Sequence, residues 1–476
     1  MRALWSEKEL ADALGAAPSA SLNGGAGGVS IDSRTLERDD IFFAIKGESR
    51  DGHDHVADAF AAGAAAAVVR HDAAALAAFG PVFLVGDTLL AMERLGVAAR
   101  ARTRARIIAV TGSVGKTSAK EMLRRMLAAC GPAHASAASY NNHWGVPLTL
   151  ARMPADARFG VFEIGMNHAG EIALLARMAR PHVALITTIA PVHIEHLGSL
   201  EAIADAKAEV FLGFEPGGVA VLNRGVPQFD RLAAAAQAQR ATVRTFGSDE
   251  ASDARLLGVV ETDAGSRIAA RILGRLLRFD LGAPGAHMAE NALGALLAAD
   301  ALGADLTTCA GALGGFSAQK GRGARISIAT PDGPATIIDE SYNANPASMR
   351  AALKLLGAAK PGPNGRRIAV IGDMLELGPD GAAMHAELAS DLEADNVDLL
   401  FGAGPLTRAL YDAAPAPMRA VWAERSEGLE AQLAAALRGG DVVMVKGSNA
   451  SRMGPLVAAL RERFARTVAR GEEARC

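Results

Sequence analysis

The chain has 476 residues, half of them hydrophobic but only 4% aromatic, with 49 Lys and Arg against 52 Asp and Glu and a formal charge of −3. That length suits about three domains, and the balanced charge excludes a nucleic-acid binder held by bulk positive charge. Three widely spaced cysteines, Cys130, Cys309 and Cys476, offer neither a disulfide framework nor a zinc cluster and point to a reducing compartment.

Glu7, Lys8, Glu9 and Asp12 interrupt the N-terminus, so no signal peptide is expected. No run approaches the roughly 18–20 apolar residues of a membrane span. The expectation is a cytoplasmic, soluble monomer with no nucleic-acid partner.

Three α/β blocks emerge in chain order. The first, residues 1–103, carries short strands at Ile41–Ile45, Ala66–Val69 and Val82–Val85. Its Arg-rich end, Arg100 to Arg106, reads as a linker or as a solvated helix end. The second, 104–318, alternates apolar strands (Arg106–Val110, Gly160–Ile164, Ala184–Ile189, Val219–Leu222) with helical patterns, and Ala286–Leu302 reads as a long helix. Such alternation predicts parallel βαβ units and a doubly wound sheet. The third, 319–476, repeats it with strands at Thr336–Asp339, Arg367–Ile371, Asp398–Phe401, Arg419–Trp422 and Asp441–Val445. The run Pro361-Gly362-Pro363-Asn364-Gly365 is a loop inside this block. Ligands of open α/β sheets sit beyond the carboxyl ends of the strands, so chemistry is expected just after strands.

The strongest signal is Thr111-Gly112-Ser113-Val114-Gly115-Lys116-Thr117 between the strand ending at Val110 and a helix with apolar positions Met122, Leu123, Met126 and Leu127. Strand, glycine turn, Lys-Thr and helix form a phosphate cradle: backbone N–H groups and the helix N-terminus face the anion, Lys116 reaches the terminal phosphates, and the Thr117 hydroxyl suits Mg²⁺. Only two residues separate Gly112 from Gly115, a short form of the loop.

Glu163, at a strand end near the cradle, is a candidate Mg²⁺ ligand, since an unpaired buried carboxylate is costly. His193 and His196 follow the strand ending near Ile189; His193, nearer the strand, is the better metal or phosphate contact. Lys207 falls on the apolar stripe of a helix over Ser199–Leu212, four after Ile203 and three before Val210. An inward lysine is desolvated and its pKa falls; the neutral amine can add CO₂ and become an oxygen-donating carbamate, or its stem can snorkel to water. Ser30-Ile31-Asp32-Ser33-Arg34 with Phe42 to Gly47, including Lys46, could hold a second phosphorylated group or be ordinary turns. Asp339-Glu340-Ser341-Tyr342-Asn343-Ala344-Asn345-Pro346 and Val445-Lys446-Gly447-Ser448-Asn449 place polar side chains at two strand ends of the third block.

The cradle, Glu163, His193 and Lys207 in this order resemble the ATP-dependent Mur ligases of peptidoglycan synthesis, over essentially the whole chain. Glu163-Ile164-Gly165-Met166-Asn167-His168, Ile371 to Gly378 and above all Ser341-Tyr342-Asn343-Ala344-Asn345-Pro346 carry the likeness. The resemblance implies three domains: a small N-terminal α/β domain for a uridine nucleotide, a central P-loop parallel-sheet domain for ATP, and a C-terminal Rossmann-like domain that closes over the site and binds a dipeptide. By that resemblance Ser33, Arg34 and Lys46 hold the uridine nucleotide. Thr111 to Thr117, Asn291, Arg322 and Glu340 hold ATP. Thr117, Glu163, His193 and carbamylated Lys207 serve Mg²⁺, and Tyr342, Asn343, Asn345 and Lys446 serve dipeptide and closure. The implied activity joins D-alanyl-D-alanine to UDP-N-acetylmuramoyl-tripeptide through an acyl phosphate. Met288 stands where many relatives have Asn, and Glu340 where Asp is common. A guanine-nucleotide switch is disfavoured because no Asn-Lys pair exists in the chain.

Overall fold

The structure is a computed structural model. It describes residues 3–47, 50–137, 139–192, 194–262 and 265–473, with side chains to residue 465. His193 and Cys476 lie outside the described residues.

Three sheets organise the chain. The first holds β1 (Gly28–Ser30), β2 (Asp40–Phe43), β3 (Ala66–Val69) and β4 (Val82–Leu84), all parallel and adjacent in chain order. Strands β2 and β3 are buried throughout, as parallel strands between helical layers must be. Helix Thr88–Arg102 follows, capped by the Asp87 carboxylate, which accepts the Leu90 N–H.

The Arg-rich segment is not the expected linker. Arg100 and Arg102 lie within that helix. Buried Arg100 donates to Ala179 O and Arg180 O and pairs with Glu215, while the Arg102 guanidinium lies 3.5 Å from the centre of the Trp5 ring. Arg100 ties the first block to the second, since a buried guanidinium needs partners for its fork of donors.

The second sheet contains β5 (Arg106–Thr111), β6 (Ala133–Ala135), β7 (Phe159–Glu163), β8 (Val183–Ile186), β9 (Val219–Asn223), β10 (Thr242–Gly247), β11 (Ala254–Thr262), β12 (Gly265–Ile272) and β13 (Arg275–Leu281). Their order is β13-β12-β11-β10-β9-β8-β5-β7-β6. Strands β6 to β11 are parallel, but β12 and β13 run antiparallel. The expected parallel βαβ units form the larger part of this sheet, and the antiparallel pairings of β12 and β13 extend it at one edge. The hairpin lies on helix Ala286–Ala301, burying Ile268, Ala270, Ile272, Phe279 and Leu281 in one core with Leu293, Leu296 and Leu297.

The third sheet comprises β14 (Ala324–Thr330), β15 (Gly333–Glu340), β16 (Arg367–Gly372), β17 (Leu399–Ala403), β18 (Arg419–Ala423) and β19 (Val442–Lys446) in the order β14-β15-β19-β16-β17-β18. Only β14, absent from the sequence reading, is antiparallel. Insertion of the last strand between β15 and β16 sets Lys446 beside Glu340 in register.

Candidate active site

Strand β5 sits where the sheet order reverses: the chain goes from β5 to β6 and β7 on one side, then crosses to β8 on the other. This is the switch point at which open α/β sheets bind ligands. The turn after β5 leads into helix Lys116–Cys130, whose N-cap, Gly115, carries no capping side chain, so first-turn N–H groups are left for an anion. Gly115 has φ +88°, and a Cβ there would lie 2.7 Å from the Asn291 amide; glycine is what permits both conformation and approach. The loop is braced from behind: the Ser113 hydroxyl donates to Ala190 O, and Thr187 donates to Val114 O.

The Lys116 amine lies over its own loop, donating to Gly112 O at 2.7 Å. Burial lowers its pKa, Glu163 opposes that, and Arg322 adds to it. In register with Val110, Glu163 ends β7 at the loop's flank. Its carboxylate is 1% exposed and accepts the Thr117 hydroxyl at 2.9 Å and the Asn141 amide at 2.8 Å.

Lys207 lies on helix Leu200–Ala208, which Ser199 caps and which tightens to a 3₁₀ turn at Glu209 rather than running on to Leu212. It is 3% exposed, and no hydrogen bond or ion pair reaches it among the described residues. Burial first, and then the nearby Lys116 charge, hold its pKa far below the usual lysine range.

A cavity of about 550 Å³ joins these groups to the third sheet. Its walls include Ser113 to Thr117, Glu163, Lys207, Asn291, Arg322, Glu340, Tyr342, Asn343, Asn345 and Lys446. Thr111 and Gly112 lead into it. The Arg322 guanidinium lies 3.9 Å from the Tyr342 ring centre and donates to Ser139 across the cavity mouth. Buried Lys446 donates to Asn343 O and lies 3.5 Å from Glu340; burial lowers its pKa and Glu340 opposes this. The Asn345 side chain is engaged as the cap of helix Pro346–Ala358.

Ser33, Arg34 and Lys46 do not line this cavity. Arg34 pairs with Asp32 on the first block's surface, and Lys46 is exposed, its backbone forming an isolated β-bridge with that of Asp51. His196 is exposed beside His168. The sequence reading missed Asn141, Asn223, His287 and Glu290, which also line the cavity. Burial lowers the pKa of His287 and raises that of Glu290. Asn141 follows no strand expected from the sequence and carries no motif, whereas Glu290 falls one residue before the expected Asn291.

Asp51, His53 and His71 also cluster, in the first block. Their geometry is that of a satisfied imidazole. His53 Nε2 accepts the Arg70 N–H, its Nδ1 faces Asp51 at 2.6 Å, and the His53 and His71 rings stack 4.0 Å apart. Nearly parallel stacked rings cannot both aim a lone pair at one ion.

Three family models match the chain: the Mur ligase family catalytic domain over residues 26–122, the Mur ligase middle domain over 110–299 and the Mur ligase glutamate ligase domain over 322–449. A UDP-N-acetylmuramoyl-tripeptide–D-alanyl-D-alanine ligase of Rickettsia prowazekii is 31% identical over 95% of this chain and 99% of the relative. The chain belongs to the Mur ligase family. The ligase of the same name from Escherichia coli is 34% identical over 91% of this chain and 93% of its own. The crystal structure of MurF from Acinetobacter baumannii superposes with a TM-score of 0.82 at 29% identity, covering 96% of this chain and 99% of that one. The protein is thus an ATP-dependent, amide-bond-forming ligase with the three-domain Mur ligase fold. Among the described residues no helix is long and apolar enough to cross a membrane.

Proposed function

We propose that this ligase joins D-alanyl-D-alanine to UDP-N-acetylmuramoyl-tripeptide in peptidoglycan precursor synthesis, in the cytoplasm and as a monomer. Its relatives of that name support the substrates. The observation that carries the chemistry is the single cavity in which an uncapped helix N-terminus, Lys116 and Glu163 face Arg322, Glu340 and Lys446 of the third block.

The tripeptide carboxylate attacks the γ-phosphorus of ATP, forming an acyl phosphate and ADP. Two anions must approach, so the barrier is electrostatic. The first-turn N–H groups and Lys116 supply positive charge where the phosphates lie, and Arg322 supplies it from the other wall. The dipeptide amine then attacks the acyl carbon, and the tetrahedral intermediate loses phosphate to leave the amide. Lys446 and Glu340, with Tyr342, Asn343 and Asn345, shape the closing wall and keep water from the acyl phosphate. Asn291 and Glu340 serve ATP, while Ser33, Arg34 and Lys46 hold the uridine nucleotide on the first block.

Thr117 and Glu163 fit a Mg²⁺ site: a buried carboxylate and a hydroxyl, 2.9 Å apart, edge the phosphate cradle. Lys207 fits as its carbamate, because burial and the Lys116 charge favour its neutral amine and no counter-ion reaches it among the described residues; its nitrogen bonds CO₂ and releases one proton. His193 completes the proposed set. The ion, when bound, neutralises phosphate charge.

The test measures ADP release with each co-substrate omitted in turn, and with single amino acids replacing the dipeptide. Sustained release is expected only with both co-substrates; equal release without the tripeptide nucleotide overturns the reading.

A further inference from the structure

Two cysteines, 179 positions apart and unconnected by any pattern in the sequence, meet behind the phosphate-loop helix. Cys130 ends helix Lys116–Cys130 and is partly exposed. Cys309 sits on the short helix Leu306–Ala312 and is fully buried. Their sulfurs are 3.7 Å apart. The bonded distance in a disulfide is about 2.05 Å, so closing the pair requires the sulfurs to approach further by turning about their side-chain bonds.

The place matters because helix Leu306–Ala312 runs through the turn Leu313–Gly315 into the link that carries Gly321 and Arg322 to the cavity. Arg125, from the phosphate-loop helix, already donates to Ala312 O at 2.6 Å. We propose that Cys130 and Cys309 form an oxidisable dithiol, which a peroxide-class oxidant closes into a disulfide that clamps the far end of the phosphate-loop helix to the root of this link.

The partly exposed Cys130 meets the oxidant first. Its thiolate attacks a peroxide oxygen; the S–O bond forms, the O–O bond breaks, and the leaving oxygen departs as water. The Cys309 sulfur then attacks the Cys130 sulfenic sulfur. The S–S bond forms, the S–O bond breaks, and the hydroxyl leaves as water with the Cys309 proton. Two thiols lose two electrons in all, and peroxide becomes two waters. Burial pushes the Cys309 thiol well above its ordinary pKa, so it stays a thiol and leaves the first step to Cys130; its place against the Cys130 sulfur then brings it to the sulfenic sulfur. Neither sulfur lines the catalytic cavity, and the disulfide closes a long loop in the unfolded chain, which favours the folded state.

The experiment treats the full chain with hydrogen peroxide, quenches it, alkylates free thiols under denaturing conditions and maps unreduced peptides. Expected are a linked pair carrying residues 130 and 309, a protein lighter by two hydrogens, and a higher melting midpoint that dithiothreitol reverses. Cys130→Ser removes all three while ligase turnover stays near wild type. Recovery of Cys309 as a free thiol, accumulation of sulfinic acid at Cys130, or linkage of either residue to Cys476 overturns the proposal. The wild-type peptide map decides this even if the variant folds poorly.

Discussion

At the scale of single residues, two lysines line the cavity. Lys116 is visible in sequence because the loop that holds it is local. Lys116→Ala is expected to lower turnover by about 10²–10³-fold or more, the size of losing one preorganised charge donor, with an unchanged melting midpoint. Phosphate release near the wild-type rate would remove the cradle assignment. Lys207 was ambiguous in sequence: its stripe position allowed either an inward amine or a snorkelling stem. The fold decides for the inward amine, because the whole side chain is enclosed and Lys116 repels a second positive charge.

Lys207 has a folded pKa below its unfolded one, so between those two values the unfolded chain holds a proton that the folded chain rejects. Folding is opposed there, and the opposition grows as pH falls toward the folded value. Lys207→Met is therefore expected to raise the melting midpoint at pH 7 while abolishing turnover. Lys207→Ala should be inactive and partly restored by formate or acetate. Full activity of either variant without additive would end the carbamate reading.

Among elements, β8 shows how a strand reports its surroundings. His182, just before it, accepts the Ile107 N–H through Nδ1 at 3.0 Å, stitching β5 to its neighbour. Burial first, then Arg106 and Arg100, depress its pKa to about 4. Between the unfolded value near 6.5 and about 4, the unfolded state carries the extra proton, so stability falls as pH drops through that window. For a partly buried group the loss is about 1–2 kcal/mol after allowing for screening. Thermal melts of wild type and His182→Asn should show a shallower acid decline in the variant; parallel curves would refute the assignment.

Element-level reading succeeded where strands are buried on both faces. Strands β5, β7, β8 and β9 are continuous apolar runs, and such runs are conspicuous. It failed at β11 to β13, where one face is wet. There Arg267 and Arg271 alternate with buried Ile268, Ala270 and Ile272. The period of two was present, but arginines masked it from a search for apolar runs. Arg100 misled for a related reason: charge density suggested solvent, while the carbonyls that bury the guanidinium come from residues 79 and 80 positions away.

For the whole molecule, the site exists because two sheets face each other. Arg322 is the clearest case, bridging Tyr342 of its own block and Ser139 of the central one. Arg322→Ala is expected to raise KM for ATP about 10- to 100-fold, since contacts to a charged group contribute ~1.5–3 kcal/mol. The melting midpoint should barely move, because the guanidinium is partly exposed and outside every core. An unchanged KM would remove Arg322 from the nucleotide site.

Sequence by itself determined the phosphate loop, the flanking strand and helix, the carboxylate at the end of β7 and the family, because each is written in neighbouring residues or in strings such as Ser341 to Pro346. Only the tertiary structure decided the antiparallel hairpin, the enclosure of Lys207, the Lys446–Glu340 pair across β19 and β15, and the meeting of Cys130 with Cys309. Those depend on which distant segments become neighbours, and burial or charge pairing is a property of the neighbour as much as of the residue.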